Sequence, residues 1–271
     1  MPKYKIGEVA RMLSLSNDML RYYESRGIVT PQKDEQSGYR YYDAWDLNFI
    51  LDSKWYRSFD FSLSDVEQMI NKDNLEALIM RCHQKEEEML HIIYTYQQKL
   101  CALAEFRRRA DCVKGELGSF EVVTSPAFVY QKLRFMSEFD CSDETAPLLK
   151  QWTDLMPLIN HTFLIPLTLT SKEHGFDEYW WGYSLTPEEA IRHHIKITPP
   201  VEYIPPRKSI RSVFSAGGRN TFMTSLKSQV MDTLQDKGYV ISHSPVGNLI
   251  ARVHENDEFT RYFEIWVPIE Q

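Results

Sequence analysis

An uninterrupted stretch in the middle of this 271-residue chain restricts its fold more than any other feature. Residues 75–113 contain no glycine or proline, and a short segment with two glycines follows at 114–119. Apolar residues recur through the stretch in steps of four, three, four, three and seven: Met89, Ile93, Tyr96, Leu100, Leu103 and Ala110. This heptad spacing predicts one helix of about 35 to 40 residues whose apolar seam pairs with another helix. A dimer completes the seam most simply; the alternative is a long helix that packs on its own domain.

Composition and charge narrow the class of protein. Hydrophobic residues make up 43% and charged residues 25% of the chain, which is typical of a soluble protein with sizeable cores. We find neither an apolar run long enough to span a membrane nor the apolar core of a secretory signal. Four sparse cysteines indicate reduced thiols and a cytoplasmic location. The net charge of −7 is uneven, because residues 1–115 carry 17 Lys and Arg against 18 Asp and Glu, whereas residues 116–271 carry 14 against 20. A nucleic-acid-binding face would therefore be a local patch.

The first 74 residues predict two short helices joined by a tight turn, then a two-stranded wing, then two further helices. Ser16 is a good N-cap for the second helix, and Gly27 ends it. Ser37 and Gly38 form the turn of the wing, and Asp43 caps the third helix. Two short helices with a tight turn are the minimum needed to place one helix in a major groove.

The last 150 residues predict a mixed domain with a weak internal repeat of strand, strand, helix and strand. The predicted elements are strands at 120–123 and 128–135, a helix at 146–160, a strand at 178–185, strands at 201–204 and 209–215, a helix at 220–237 and a strand at 260–269. The whole chain is thus expected to be α+β, with segments at 1–74, 75–114, a linker at 115–119, and 120–271.

The last predicted strand contains the most specific feature of this domain. Alternation places Tyr262, Glu264 and Trp266 on one face, and the wholly apolar side chains between them on the other. A carboxylate between two aromatic rings costs free energy unless it is paired. A bound cation would pair it, and each ring would add about 0.5–2 kcal/mol of cation–π attraction. The alternative is an ordinary cross-strand ion pair with Arg252 or Arg261.

Several strings in register resemble the MerR family of transcription regulators. They are Ile6 to Ala10, Leu20 to Glu24, Gly27 to Val29 with Pro31, and Gly38 to Tyr42, and the resemblance covers about residues 4–113. It implies a winged helix-turn-helix domain and a long antiparallel dimerisation coiled-coil helix. It also implies a homodimer that binds double-stranded promoter DNA and activates RNA polymerase holoenzyme by distorting an over-long spacer.

We expect DNA contacts from side chains on the second helix and the wing. Arg21 can hold phosphate oxygens in two hydrogen bonds, Tyr22 can contact phosphate and sugar, and the exposed start of the second helix can meet base edges. Arg40 lies between two tyrosines and suits the DNA backbone. The expected DNA-binding residues are Asn17, Arg21, Tyr22, Tyr39, Arg40 and Tyr41. Tyr23 and Tyr42 are either further contacts or core aromatics.

The duplicated strand–strand–helix–strand pattern and the final strand resemble the GyrI-like effector-binding domain. In multidrug-sensing MerR regulators the glutamate that matches Glu264 holds lipophilic cations, so the resemblance implies a hydrophobic cationic effector at Glu264. Aromatic side chains that could share this pocket with Glu264 are Tyr262, Trp266, Trp152, Tyr179, Trp181 and Tyr183. Their alternative role is to fill the core.

Two other functions remain open. A metal or redox sensor would use Cys82 and Cys112, but soft-metal binding needs at least two preorganised thiolates and no second ligand follows Cys112 within a loop's reach, since the next cysteine is Cys141. We therefore expect Cys82 and Cys112 to be buried fillers, with no metal and no cofactor. Some GyrI-like domains hydrolyse reactive small molecules, but the chain has no Gly-x-Ser-x-Gly string and no phosphate-binding loop, so we expect no enzyme activity.

Overall fold

The computed structural model describes residues 2–136, 138–139, 146–167, 178–255 and 257–270. The chain forms two compact units, Met1–Thr95 and Tyr96–Gln271. The boundary between the two units falls inside the long central helix, which is predicted from the sequence as a separate segment.

The first unit contains four short helices and a small sheet. Its elements are β1 (Tyr4–Lys5), α1 (Ile6–Leu13), α2 (Asn17–Ser25), β2 (Gln32–Lys33), β3 (Arg40–Tyr42), α3 (Ala44–Arg57) and α4 (Leu63–Asn71). Strands β2 and β3 form the predicted wing, and β1 adds a third strand beside β3. The predicted winged helix-turn-helix arrangement is therefore confirmed.

The boundaries of these helices follow from their capping residues. The Ser16 hydroxyl accepts a hydrogen bond from the Met19 backbone N–H at 3.0 Å, which satisfies a free donor at the start of α2. Gly27 lies just beyond α2 with φ of +67°, a conformation that favours glycine. The Asp43 carboxylate accepts from the Trp45 backbone N–H at 2.8 Å and begins α3. All three predicted signals are confirmed.

A single hydrophobic core joins the helices and wing of the first unit. Its buried side chains are Val9, Leu20, Tyr23, Ile28, Val29, Tyr42, Ile50, Phe61, Val66 and Met69. Tyr23 and Tyr42 are 3% and 0% exposed, so they are core aromatics rather than contacts for a ligand. Burial raises the pKa of Tyr42 to about 12, and the phenol stays neutral at physiological pH.

Helix α5 (Leu75–Glu116) is 42 residues long and confirms the predicted long helix. It continues through Gly115 and ends just before Gly118, which has φ of +73°. The central side chains of its seam, Ile93, Tyr96, Leu100 and Leu103, are between 53% and 67% exposed. Val113, close to the end of α5, is its one buried residue. Within the described part of the chain, the middle of the seam therefore has no covering.

The second unit combines the end of α5 with one large sheet and short helices. Its further elements are β4 (Phe120–Thr124), β5 (Phe128–Phe135), β6 (Glu138–Phe139), α6 (Ala146–Thr153), β7 (Asn160–Leu164), β8 (Trp180–Leu185), α7 (Pro187–Arg192), β9 (Val201–Ile204), β10 (Lys208–Ala216), α8 (Phe222–Leu226), α9 (Asp232–Asp236), β11 (Val246–Glu255) and β12 (Glu258–Pro268). A π-helical turn at Lys227–Met231 joins α8 to α9.

The predicted helix at 146–160 is too long. Helix α6 ends at Thr153, and β7 begins at Asn160, the residue where the sequence places the end of the helix. Residues 154–159 form turns and bends, and Pro157 among them lacks the backbone N–H that a helix interior requires.

The sheet consists of two similar halves that exchange their first strands. Its order is β4-β10-β12-β11-β7-β8-β5-β6, and β9 also pairs with β5. Strand β4, from the first half, pairs with β10 of the second half, and β9, from the second half, pairs with β5 of the first. The halves meet where β7 pairs with β11. The duplication predicted from sequence is therefore present. Each half ends in a pair of strands, which are β7 and β8 in the first half and β11 and β12 in the second.

The two faces of this sheet carry different side chains. One face, called the helix face, packs Phe163, Trp181 and Phe263 against residues of α8 and α9. The other face, called the Glu264 face, carries Glu264 and Trp266. Val113 at the end of α5 packs on this second face against Val213 and its neighbours.

Candidate functional site

The start of α2 is an exposed polar surface. Asn17, Asp18 and Arg21 are all exposed. The Arg21 guanidinium lies 3.3 Å from the Asp18 carboxylate, with side chains 59% and 89% exposed. Such a surface pair contributes little stability, so the guanidinium can exchange this partner for a phosphate.

An acidic residue of α2, Glu24, pairs with the cationic side chains of the wing. Arg40 is hydrogen-bonded to Glu24 rather than framed by its neighbouring tyrosines, which corrects the arrangement expected from sequence. The Lys33 ammonium lies 2.9 Å from the same carboxylate. Burial tends to raise the pKa of Glu24, but hydrogen bonds from Arg40 and Lys33 bring it below its usual value. Glu24 thus fixes two cations beside α2.

The three tyrosines expected to contact DNA differ in exposure. Tyr39 at the tip of the wing is 62% exposed. Tyr41 is half-buried and lies opposite Lys5 and Gln32 on the neighbouring strands. The ring of Tyr22 is half-buried and packs on the core of the first unit, with the guanidinium of a neighbouring arginine 5.1 Å from its centroid. Tyr39 is thus the most accessible of the three.

The Glu264 carboxylate is buried and already paired. Its residue is 7% exposed, and the Nε atom of Arg211 donates to Oε1 of Glu264 at 2.5 Å. A second nitrogen of Arg211 donates to Oε2 of Glu116, at the end of α5, also at 2.5 Å. Burial lowers the pKa of Arg211, but its hydrogen bonds to Glu116 and Glu264 outweigh this and raise it. We call these three residues the acidic bridge; together they carry a net charge of −1.

The pairing partner of Glu264 was not identified from sequence. Glu264 forms a cross-strand ion pair, which is the alternative to a ligand role, but its partner is neither of the two arginines considered for it. Arg261 shares the helix face with Phe263, and Arg252 lies opposite Arg261. The actual partner lies on β10, diagonally across from Glu264, because Arg211 is directly opposite Trp266. That relation depends on the pairing of β10 with β12, which no local pattern reveals.

A group of buried hydrogen bonds lies beside the acidic bridge in the middle of the sheet. Asn248 lies directly opposite Glu264, and Thr162 lies opposite Asn248. The Thr162 hydroxyl donates to Asn248 Oδ1 at 2.7 Å and lies 2.6 Å from the Ser184 hydroxyl. Asn248, Thr162 and Ser184 are at most 3% exposed, so the centre of the Glu264 face is polar and buried. Tyr130, directly opposite Ser184, has a buried hydroxyl without a hydrogen-bond partner in the described part of the chain.

A cavity of about 220 Å³ opens beside this centre and is called the Trp266 cavity. The rings of Trp266 and Phe128 form one wall, with centroids 5.5 Å apart. The other lining residues are Ser125, Leu164, Glu202, Tyr203, Ile204, Pro205, Arg207, His243, Ser244, Val246 and Pro268. Glu264 does not line the cavity, although it is two residues from Trp266 on the same strand and face. The cavity is thus mainly apolar, with Glu202 as its acidic group.

The other aromatic residues predicted beside Glu264 do not reach it. Tyr179 and Trp181 belong to the core on the helix face with Phe263, and Trp152 and Tyr183 belong to a second core cluster under α6. The predicted shared pocket is therefore not present for these four side chains. Tyr262 does share the face of Glu264, and its hydroxyl donates to Glu255 at 2.6 Å.

For strand β8, the sequence prediction assigns the wrong tryptophan to the Glu264 face. Trp180 and Trp181 are adjacent, and the sequence favours Trp181 for the ligand side. In the structure Trp180 packs with Trp266 and Phe128, whereas Trp181 faces the opposite way. A pair of adjacent tryptophans presents one ring to each face whatever the phase, so alternation alone cannot assign them.

The cysteines differ from the expected buried fillers. Cys82 and Cys101 are exposed and Cys112 is half-buried, whereas Cys141 lies outside the described residues. Within the described ranges, no group of three or more His, Cys, Asp and Glu side chains is placed to hold a metal ion. No helix in that part of the chain is long and apolar enough to cross a membrane.

Comparison with known proteins finds relatives of the N-terminal part. Residues 5–42 match the model of the MerR family regulatory protein. The chain is 36% identical over 67 residues to the HTH-type transcriptional regulator YyaN of Bacillus subtilis, covering 25% of this chain and 49% of that protein. It is 32% identical over 69 residues to the HTH-type transcriptional regulator CueR of Escherichia coli, covering 26% and 51%. The chain thus spans about half the length of the curated relatives it matches.

Solved structures give a more distant likeness. A chain of the EcmrR–DNA complex in EcmrR-RPo, determined by cryo-EM, aligns over 99% of this chain and 100% of its own length, with 15% identity and a TM-score of 0.37. The matched residues 5–42 coincide with α1, α2 and the wing, so the likeness to the MerR family lies in the N-terminal part of the chain.

Proposed function

We propose that this chain is a cytoplasmic transcription regulator that binds double-stranded promoter DNA as a homodimer and acts through RNA polymerase holoenzyme. The observation that carries the proposal is the family match over residues 5–42, which falls on an exposed α2 and its wing. The curated relatives over the same region are HTH-type transcriptional regulators. The uncovered seam of α5 supports the dimer, because a stripe of this size favours burial against a second helix.

In this proposal α2 enters the major groove and the wing follows the backbone. Asn17 meets base edges at the start of α2, and Arg21 leaves Asp18 to hold phosphate oxygens. Tyr22 and Tyr41 contribute hydroxyls at the edge of the same surface. Arg40, fixed by Glu24, and Tyr39 at the tip contact the next phosphates along the strand.

A direct test measures binding of the full chain to the DNA upstream of its own gene. Fluorescence anisotropy is expected to show that the protein binds the upstream DNA, and that a scrambled duplex of equal length and concentration does not displace this DNA. Binding should weaken as salt is raised, with a slope that reports the number of phosphate contacts. Equal affinity for specific and scrambled DNA at physiological salt would contradict a promoter-specific regulator.

The second part of the proposal is that a hydrophobic cation is the effector and that it acts at the acidic bridge. In the described part of the chain Arg211 is the one side chain ion-paired with both Glu116 and Glu264, so the acidic bridge has one more negative than positive charge in a partly buried place. The Trp266 cavity provides an apolar wall on the same face. A cation that pairs with Glu264 competes with Arg211 and loosens its hold on Glu116. Since Glu116 lies at the end of α5, effector binding then alters the helix that forms the dimer seam.

The charge dependence of effector binding can be measured with two probes of similar shape. Isothermal titration calorimetry with tetraphenylphosphonium and with neutral triphenylphosphine oxide is expected to show tighter binding of the cation. Glu264→Gln should weaken binding of the cation by about tenfold or more while changing the neutral probe little. Glu188→Gln, at an exposed position on α7, is the matched control and should leave both unchanged. Equal losses for both probes in Glu264→Gln would exclude the charge-based mechanism.

A further inference from the structure

A second cavity of about 220 Å³ lies on the helix face, opposite the acidic bridge. Its walls include the rings of Phe139, Trp181 and Tyr183, together with Arg134, Arg252 and Arg261. The remaining lining residues are Leu133, His161, Gly182 and Leu249. We call it the arginine pocket. No acidic residue is among those that line it.

The three arginines reach the pocket from three strands, of which β11 and β12 are paired, whereas β5 is separated from β11 by β7 and β8. Arg252 on β11 lies directly opposite Arg261 on β12. Arg134 on β5 lies opposite Trp181, with its guanidinium carbon 5.5 Å from the centroid of that ring and 5.4 Å from that of Phe139. Like charges placed directly opposite each other in a sheet are destabilising, so this arrangement costs stability in the free protein.

None of these arginines has a carboxylate partner in the part of the chain that the structure describes. Arg134 donates to the backbone carbonyl of Met136. Arg261 donates to the carbonyls of Gly217 and Gly218, at 3.0 and 2.8 Å. Within the same described ranges, the side chain of Arg252 forms neither a hydrogen bond nor an ion pair. The pocket therefore has an excess of positive charge and free donor groups.

The titration behaviour of the groups around the pocket agrees with this excess. Burial, and secondarily the charge of Arg252, lower the pKa of Arg261. Burial followed by Arg252 also lowers the pKa of His161, which is therefore neutral at physiological pH. Burial is the main cause of the lowered pKa of Arg134, and Arg252 adds to it. Each of these groups would be stabilised in its charged form by a nearby anion.

We propose that the arginine pocket binds a small organic anion, with a carboxylate or phosphate group held by Arg134, Arg252 and Arg261 and an apolar or aromatic body packed against Trp181 and Tyr183. Guanidinium groups hold planar carboxylates and phosphates through paired hydrogen bonds, and their cation–π contact with aromatic walls suits a ligand that carries a ring. A volume of about 220 Å³ admits a single substituted ring. This site is separate from the proposed cation site, because it lies on the other face of the sheet.

Calorimetry on the full chain at constant ionic strength tests the proposal with three ring compounds: phenyl phosphate, benzoate and neutral benzyl alcohol. At least one of the two anions is expected to bind and the alcohol is not; comparing the two anions identifies the preferred acidic group. Arg252→Gln should lower the affinity for the bound anion by about tenfold or more, as expected for loss of a charged hydrogen-bond donor. Arg192→Gln, an exposed arginine on α7 outside the pocket, is the control and should change nothing.

Thermal unfolding gives an independent readout. Without an anion, Arg252→Gln should melt at or above the temperature of the unaltered protein, since one repulsive charge is removed. The bound anion should raise the melting temperature of the unaltered protein and not that of the variant. Absence of binding by both anions, equal binding of benzyl alcohol, or unchanged affinity in Arg252→Gln would each overturn the proposal. Glu264→Gln should leave anion binding intact, so a failed cation site and a failed anion site give different results.

Discussion

The acidic bridge makes a quantitative prediction about stability. Arg211 is the only one of its three members that contacts both others, so its removal leaves two carboxylates without a partner in the described part of the chain. Arg211→Met keeps most of the side-chain volume and removes the charge. We expect this substitution to be the most damaging of the three single changes in the bridge.

The expected magnitudes follow from the exposure of each side chain. The Glu264 side chain is 10% exposed, and an uncompensated charge at such a depth costs about 3–5 kcal/mol, which is our expectation for Arg211→Met. Glu264→Gln leaves Arg211 paired with Glu116 and keeps an acceptor oxygen, so about 1–2 kcal/mol is expected. The Glu116 side chain is 36% exposed, and Glu116→Gln should cost no more than about 1 kcal/mol.

Urea unfolding at pH 7, followed by tryptophan fluorescence and circular dichroism, measures these differences as shifts in the transition midpoint. A double variant, Arg211→Met with Glu264→Leu, should recover much of the loss, because an apolar pair replaces the buried ion pair. If Arg211→Met proves no less stable than Glu116→Gln, or the double variant is weaker than Arg211→Met alone, Glu264 is not a buried charge that depends on Arg211.

Five further predictions concern the N-terminal unit, the long helix and the alternative functions. Arg21→Ala should weaken binding to all DNA sequences and reduce the salt slope by about one, and an unchanged slope would mean that Arg21 is structural. Glu24→Gln should destabilise the first unit near pH 7, because the pKa of Glu24 is lowered in the folded protein. The difference in free energy of unfolding between the variant and the unaltered protein should shrink as pH falls through that pKa, and acid-dependent unfolding measures it. Leu100→Glu should convert the dimer into a monomer in sedimentation measurements, whereas a variant that stays dimeric would place the interface elsewhere. Replacement of Cys82 and Cys112 by serine should leave effector-dependent transcription intact, and loss of induction would indicate a metal or redox sensor. Incubation of the protein with ester or lactone probes should give no product above the buffer rate, and steady turnover would indicate an enzyme.

Local signals in the sequence predicted the N-terminal unit well. Ser16, Gly27 and Asp43 end or begin helices through contacts within a few residues, so their effects can be read without knowing the tertiary structure. The long helix was predictable for the same reason, since its period and its freedom from glycine and proline are properties of one segment. Alternation in β12 likewise assigned Glu264 and Trp266 to one face.

The candidate site was less predictable because its contacts join distant segments. Arg211 and Glu264 are 53 residues apart and meet only when β10 pairs with β12. The phase of β8 had to be known before Trp180 and Trp181 could be assigned to their faces. The convergence of Arg134, on β5, with arginines of β11 and β12 depends in the same way on the strand order.

The exchange of first strands between the two halves of the sheet has a consequence for how the domain can be divided. Strand β4 reaches its partner only in the second half, and β9 finds its partner only in the first. Neither repeat can therefore complete its own hydrogen-bonded ladder as an isolated peptide. Two fragments cut between β8 and β9 should each be incompletely folded when produced alone and should reassemble into the native sheet when mixed. The ancestral unit of such a duplication would then have been a strand-swapped pair of identical chains before the two copies were fused.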